Sequence, residues 1–208
     1  MNSFKGIGKV HLRRNNISYY ARVAWVGARG GKLRVELMGV PGHPKSGFSS
    51  DGEWLYYYDL QDRKNPVKRI SSRDTSLKRF MIIAITVRDM VSLLSGRVPD
   101  YMYKKLEVKR WKASQGYVLV RKKEWWQGAQ KIYLGPAGKD VVQIELFEWN
   151  SLLYRVEFQR IRSIGQFRIP MRLVFSNENG DIFQLDIERY WANASISSDT
   201  FILKPPMR

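Results

Sequence analysis

Leu152-Leu-Tyr-Arg-Val-Glu-Phe158, Phe167-Arg-Ile-Pro-Met-Arg-Leu-Val-Phe175 and Phe183-Gln-Leu-Asp-Ile-Glu188 decide how the rest of the chain is read. Leu152, Tyr154, Val156 and Phe158 alternate with Leu153, Arg155 and Glu157. Phe167, Ile169, Met171, Leu173 and Phe175 alternate with Arg168, Pro170 and Arg172. Phe183, Leu185 and Ile187 alternate with Gln184, Asp186 and Glu188. A period of two places one set of side chains on a buried face and the other in water, the mark of antiparallel strands. Asn177-Glu-Asn-Gly180 separates the last two runs and carries turn chemistry.

The same pattern extends toward the N-terminus. Tyr19, Ala21, Val23 and Trp25 share one face against Ser18, Tyr20, Arg22 and Ala24. Leu33, Val35 and Leu37 alternate with Arg34 and Glu36. Arg29-Gly-Gly31, Asp51-Gly52 and Gly135-Pro-Ala-Gly138 punctuate the runs, and Gly39–Ser50 reads as a loop. About ten or eleven strands follow from this rule. An open antiparallel sheet of that size has to curl, so the expected fold is mainly β with a few helices (α+β): a single curved sheet forming an unclosed half-barrel.

One stretch breaks the period. Leu77, Phe80 and Met81 fit a short amphipathic helix over Thr75–Ala84. Thr86 reads as an N-cap with Asp89 three residues on, and Val87, Met90, Val91 and Leu94 follow at helical spacing. Gly96 suits the C-terminal cap and Pro99 blocks continuation, giving a second helix over Thr86–Ser95. Two helices in mid-chain must bury their apolar faces, and the concave side of the sheet is the available place. With no repeat or linker, residues 1–208 read as one domain with a helical lid at 75–96.

Hydrophobic residues make up 44% and aromatics 13% of the 208 residues, too apolar for a disordered chain. The absence of cysteine excludes disulfides, thiolate zinc sites and thiol catalysis. No run approaches the roughly 18 apolar residues of a membrane helix. The chain opens on Met1-Asn-Ser-Phe4 without a signal-peptide pattern, so any targeting segment is expected to be removed or to lie upstream. The net charge of +17 is uneven: residues 1–131 hold 27 of the 36 Lys and Arg and 10 of the 19 acids. A field of that kind attracts polyanions, or it is a solvated basic surface.

Catalytic chemistry finds little footing. The two histidines, His11 and His43, stand on different elements without a ligand-spaced partner, so no metal or cofactor is expected. Gly6 and Gly8 lie in a strand-like run, the wrong context for dinucleotide binding. Asp51 with Glu53 and Asp186 with Glu188 could form acid–base pairs, but the pattern puts them at turns or on the wet face. The chain is therefore read as a non-enzyme.

Residues 101–131 interleave nine Lys or Arg with Trp111, Trp125 and Trp126. That mixture suits single-stranded nucleic acid, a membrane interface, or a hairpin with inward Trp and solvated cations. No nucleic-acid fingerprint accompanies it.

Two features carry a family resemblance. Gly31-Lys-Leu-Arg-Val-Glu-Leu-Met-Gly-Val-Pro-Gly-His-Pro44, followed by Ser49-Ser-Asp-Gly-Glu-Trp-Leu-Tyr-Tyr-Tyr-Asp59, resembles a segment of the bacterial lipoprotein carriers and insertases of the LolA/LolB type. The order of elements, strands then two short helices then a long meander, is similar over nearly the whole chain, closest to the uncharacterised envelope lipoproteins of that superfamily. The resemblance implies an apolar cavity between half-barrel and lid that holds lipid or lipoprotein acyl chains, in the periplasm. It also implies that anchoring to the outer membrane would run through a lipidated upstream Cys. It places a membrane-contact loop at Val40 and Pro41, although the insertase's exposed Leu has no counterpart in Gly39-Val-Pro-Gly42.

Together these readings give the expected site. Trp25, Leu37 and Tyr57 line the cavity from the first strands, Phe80, Met81, Met90 and Leu94 from the lid, and Met171 and Phe175 from the opposite wall. Lys109, Arg110, Lys122 and Lys123 are positioned to meet anionic head groups. The alternatives are an envelope interaction module with a filled cavity and a nucleic-acid binder on the basic face.

Overall fold

The computed structural model of the chain describes residues 1–39, 43–59, 67–71, 76–111, 115–123, 128–136 and 138–203. The chain starts in the middle of a sheet. Strand β1 (Ser3–Arg14) pairs with β2 (Ile17–Ala28), and β3 (Lys32–Met38), β4 (Pro44–Asp51), β5 (Trp54–Asp59) and β6 (Val67–Ser71) add in turn to one edge. Two helical segments follow, α1 (Lys78–Met81) and α2 (Val87–Leu94). The chain then resumes at the other edge with β7 (Lys105–Trp111) and meanders back through β8 (Gly116–Lys122), β9 (Ala129–Leu134), β10 (Val141–Glu148), β11 (Ser151–Ile164), β12 (Phe167–Ser176) and β13 (Ile182–Ala192). Strand β13 closes on β1, so the order is β6-β5-β4-β3-β2-β1-β13-β12-β11-β10-β9-β8-β7, antiparallel throughout and unclosed between β6 and β7.

Thirteen strands exceed the ten or eleven expected. Part of the difference lies in Gly39–Ser50, where residues from Pro44 onward form β4 rather than a loop. Its sequence, Pro44-Lys-Ser-Gly-Phe-Ser-Ser-Asp51, lacks an apolar alternation because Ser49 and Ser50 are buried as polar residues. The Ser49 hydroxyl donates to the Phe201 carbonyl at 2.7 Å, which satisfies it inside the protein.

On β1 the inward positions are Phe4, Gly6, Gly8, Val10 and Leu12, and two glycines on the first hairpin face rings across the strand pair. Gly6 lies opposite Trp25, and a Cβ there would meet the indole Cζ2 at 2.3 Å. Gly27 lies opposite Phe4, with the Phe4 Cζ at 2.3 Å from the same kind of added atom. The rings lie over bare backbone, a way of filling a concave surface without overcrowding it.

Helix α2 forms where the sequence places it. The Thr86 hydroxyl accepts from the Asp89 N–H at 3.1 Å, satisfying one of the orphan donors of the first turn. At the other end Gly96 is left-handed (φ +70), Gly96 N–H bonds Leu93 and Arg97 N–H bonds Ser92, the double closure of a Schellman motif. Helix α1 is shorter than the expected Thr75–Ala84, of which Thr75 lies outside the described residues. Ile82 turns left-handed (φ 58), and Ile83 and Ile85 are both fully buried, a period-two pattern set by β-branched side chains. Leu77 N–H bonds the Ile85 carbonyl at 2.6 Å, pinning the segment as a tight loop with one helical turn.

An eight-residue helix is too short to hold by propensity. Burial holds the lid instead: Leu77, Met81, Ile83, Ile85, Met90 and Leu93 are each at most 5% exposed, at about 1.5–3 kcal/mol apiece. The lid packs against the same cluster as the sheet's inner face, including Leu33, Leu55, Ile144, Val156 and Leu173. No helix among the described residues is long and apolar enough to cross a membrane.

Candidate functional site

Between the sheet and the lid lies a cavity of about 310 Å³. Strands β1 to β3 supply Val10, Leu12, Tyr19, Val23 and Val35 besides Trp25 and Leu37. Strands β4 and β5 add Ser46, Gly47, Phe48 and Tyr57, and β13 adds Phe183 and Leu185. The lid contributes Phe80 and Met81 from α1 and Met90 and Leu94 from α2. No charged side chain lines it, and the polar side-chain groups of its lining residues are the Ser46, Tyr19 and Tyr57 hydroxyls and the Trp25 indole N–H, which is buried without a hydrogen-bond partner among the described residues. The volume stands at the lower bound of the roughly 300–1,000 Å³ typical of small-molecule sites.

Exposure grades along the wall. Trp25, Val23, Met90 and Leu94 are buried, whereas Leu12, Leu37, Ser46 and Tyr57 are half-buried and Tyr19 is 48% exposed. The mouth therefore lies at the end of the sheet that carries the β1–β2 turn. Phe80 stands against Phe48 (ring centroids 5.2 Å apart) and Tyr57 (5.1 Å), so it fastens α1 to β4 and β5. Met81 and Met90 give the wall soft, adaptable side chains.

The structure thus brings together seven of the residues singled out in the sequence: Trp25, Leu37, Tyr57, Phe80, Met81, Met90 and Leu94. Met171 and Phe175 do not line the cavity. Both are buried, and Phe175 packs edge-to-face on its cross-strand partner Phe183 at 5.7 Å, so β13 forms that wall and β12, the next strand of the same sheet, lies one strand beyond it. Tyr19 and Val23 share the alternation face of Trp25, and that signal could have found them. Phe48 was hidden by reading its strand as a loop. Val40 and Pro41 lie outside the described residues.

The proposed head-group cations do not gather. Lys109 and Lys122 both bond Glu107, at 3.1 and 2.8 Å, while Arg110 sits on the opposite strand face and Lys123 lies 5.1 Å from the Tyr101 ring. All four belong to the β7–β8 region, at the edge of the sheet away from β1–β5. Trp111 packs edge-to-face on Tyr133 at 5.0 Å, and Trp125 and Trp126 lie outside the described residues.

The lid is also tied by a buried carboxylate. Asp89 on α2 is 4% exposed; the Tyr101 hydroxyl donates to it, and the Tyr154 hydroxyl on β11 stands 3.4 Å away. Burial pushes the Asp89 carboxyl above its ordinary range, against the hydrogen bonds of Tyr101, Thr86 and Tyr154 and the charge of Arg88. Tyr190 on β13 adds a bond to the Leu94 carbonyl at 2.8 Å.

The carboxylate pairs noted in the sequence serve other ends. Asp51 accepts from the Glu53 and Trp54 N–H groups, at 2.9 and 2.7 Å, and shapes its turn. Asp186 meets Arg160 and Arg172, and Glu188 meets Lys9 and Arg22. Burial opposes ionisation of Asp186, but the bonds from Arg172 and Gln184 and the charge of Arg160 outweigh it and hold the carboxyl below its ordinary range. Such groups are fixed as anions on the outer face. His11 bonds Ser18 at 3.4 Å and stacks on Tyr20, with ring centroids 4.2 Å apart; His43 is exposed. Among the described residues no cluster of His, Cys, Asp or Glu could hold a metal.

No family model matches the sequence, and no curated protein matches it. Solved structures do. A domain from Vibrio parahaemolyticus described as outer membrane lipoprotein-sorting superposes with a TM-score of 0.72 at 16% identity, over 96% of this chain and 89% of that one. A LolA superfamily protein from Nitrosomonas europaea gives 0.70 at 13% identity, over 97% and 90%. A DUF1329 family protein from Desulfovibrio piger gives 0.66 at 14% identity, over 97% and 90%. The likeness spans the helical insertion as well as both halves of the sheet.

Proposed function

We propose that this chain, which has the LolA-like fold, binds an acyl chain of a lipid or lipoprotein in the cavity beneath its lid, in the bacterial envelope and without catalysis. The observation that carries the reading is the cavity itself: about 310 Å³, uncharged, walled by aliphatic, aromatic and methionine side chains, and opening at one end of the sheet. Each buried methylene contributes about 0.8 kcal/mol. A dozen would supply about 10 kcal/mol before the cost of immobilising the ligand, enough for useful affinity with little chemical selectivity. Release follows from movement of α1 and α2. The open space argues against an interaction module with a filled interior.

The superposition on proteins described as lipoprotein-sorting and LolA superfamily supports a periplasmic setting. Anchoring at the outer membrane by an upstream lipidated Cys belongs to the same reading. The β1–β2 turn beside the mouth projects Ile17 and Tyr20, 74% and 68% exposed, next to Arg13 and Arg14, which suits approach to an anionic membrane. Native mass spectrometry of the purified protein, followed by lipid extraction, tests the reading. An acyl ligand should co-purify and be lost in Met90→Trp or Leu94→Trp, which fill the cavity. Repeated absence of ligand, with no uptake of a fluorescent fatty acid, overturns it.

A further inference from the structure

On its other side, α2 borders a second concavity. Met90 and Leu94 face the acyl cavity, whereas Arg88, Val91 and Ser92 line an open groove of about 850 Å³. The remaining walls are the β2–β3 turn, the segment after α2 and one residue of β8. Four arginines enter it from four separate parts of the chain: Arg29, Arg88, Arg97 and Arg121. The single carboxylate in the lining, Asp100, is committed to Arg121 at 2.8 Å. Three guanidinium charges are left without an anionic partner among the described residues.

These arginines are held for use. Arg29 spends its Nε on the Met1 carbonyl (3.3 Å) and Arg97 its Nε on the Ser95 hydroxyl (3.1 Å). Both bonds are to neutral acceptors and orient the side chain while leaving the terminal N–H groups available. Arg121 is fixed by Asp100, by Gln130 (3.3 Å) and by the Tyr103 ring beneath it (4.6 Å). The Arg88 side chain has no hydrogen bond or ion pair among the described residues, while its backbone carbonyl accepts from the Ser92 hydroxyl at 3.1 Å. By contrast Arg34, Arg155, Arg160, Arg168 and Arg172, on the sheet and its turns, each meet a carboxylate. Gly30 and Gly31, both left-handed, leave the groove open where a side chain would stand.

The geometry points to a binding site for a phosphate-bearing anion, a phosphomonoester or pyrophosphate group, seated among Arg29, Arg88 and Arg97. A carboxylate offers two oxygens and one charge. A phosphate group offers three or more oxygens and up to two charges, which matches several guanidinium forks converging from different directions. The group could be free in solution or the head of a lipid, since the chemistry is shared. Bound there, it ties the back of the lid helix to the β2–β3 turn. The site does not depend on the acyl cavity being occupied.

The full chain is titrated with inorganic pyrophosphate at constant ionic strength, by calorimetry and thermal shift. Saturable one-to-one binding is expected. Arg88→Gln or Arg97→Gln should weaken it about tenfold or more, the equivalent of one charge-assisted bond. Arg88→Lys and Arg97→Lys, which keep the charge and lose the fork, should also weaken it, and Arg189→Gln, exposed on β13 outside the groove, should not. Phosphatidylcholine vesicles with and without phosphatidic acid separate the sources. Groove-dependent capture of the phosphatidic acid vesicles assigns a lipid head group, and pyrophosphate binding alone assigns a soluble anion. No saturable binding overturns the site, as does equal weakening by Arg189→Gln or no difference between Lys and Arg.

Discussion

Asp89 is an acid where the lid most needs an apolar residue, and its protonation should be visible in stability. Its carboxyl is raised by burial, so the folded state holds a proton more tightly than the unfolded chain does. Stability attributable to this group therefore rises as pH falls through its folded pKa and is complete below the unfolded value near 3.8. Asp51, Asp186 and Glu188 have lowered pKa values and act in the opposite sense, so the whole protein loses their contribution in acid. The comparison with Asp89→Asn isolates the one group. Urea unfolding at pH 7 and at pH 4, close to the unfolded value, should show the parent gaining on the variant at the lower pH; a constant difference would falsify the assignment. At Gly6 the expectation is steric. Alanine there must displace the Trp25 ring, because the new Cβ falls 2.3 Å from Cζ2. Overpacking of this kind costs about 1–3 kcal/mol. For a chain of this size that is a fall in Tm of roughly 2–12 °C, readable by calorimetry.

At the scale of elements, the lid is fastened at separate points, and they should fail separately. Phe80 holds α1 through two ring contacts, each worth about 0.5–1.5 kcal/mol. Phe80→Ala should speed amide exchange over Lys78–Met81 and leave α2, still held by Thr86, Tyr154 and Tyr190, protected. Exchange rising equally in α2 would mean that the lid moves as one body. Which elements could be read in the sequence follows from the same physics. Strands β11 to β13 alternate cleanly because each has one buried and one wet face, and α2 carries its own cap residues at both ends. Strand β4 could not be read, since what buries Ser49 is a carbonyl 152 residues away. Nor could β7, an edge strand with both faces largely exposed, so that no alternation is imposed on it. The cavity's wall was legible wherever a large apolar residue shared a face with Trp25. The choice between β12 and β13 was not, because both strands alternate equally well and only their order in the sheet separates the strand that lines the cavity from its neighbour. The arginine groove left no local trace, since its residues meet only through tertiary structure.

At the scale of the molecule, an unclosed sheet has two free edges, and the sequence arms at least one of them. Thirteen strands cannot stay flat, and curling round the lid brings the sheet close to a barrel without joining β6 to β7. Strand β7 therefore has no strand partner on its outer side among the described residues. It also exposes Leu106 and Val108, at 64% and 62%, which makes it a template for a strand from another molecule. The remaining positions of the strand are mostly charged: Lys105, Glu107, Lys109 and Arg110. Lysine on an edge opposes pairing because a second copy would bring like charges into register at close range. A small part of the excess positive charge, Lys105, Lys109 and Arg110 against Glu107, then has a role independent of any ligand. Lys105→Val combined with Lys109→Val removes the guard while raising strand propensity. It should produce a larger, concentration-dependent species by size-exclusion light scattering that the parent lacks. Lys139→Val, exposed in the β9–β10 turn, changes charge and apolarity in the same direction away from any edge and should leave the parent profile intact. Raising the salt concentration should move the parent part of the way toward the double variant, because screening shortens the reach of the same repulsion. If the double variant behaves as the parent does at every concentration and salt, the charges on β7 do not guard the edge, and its protection must come from the twist of the strand.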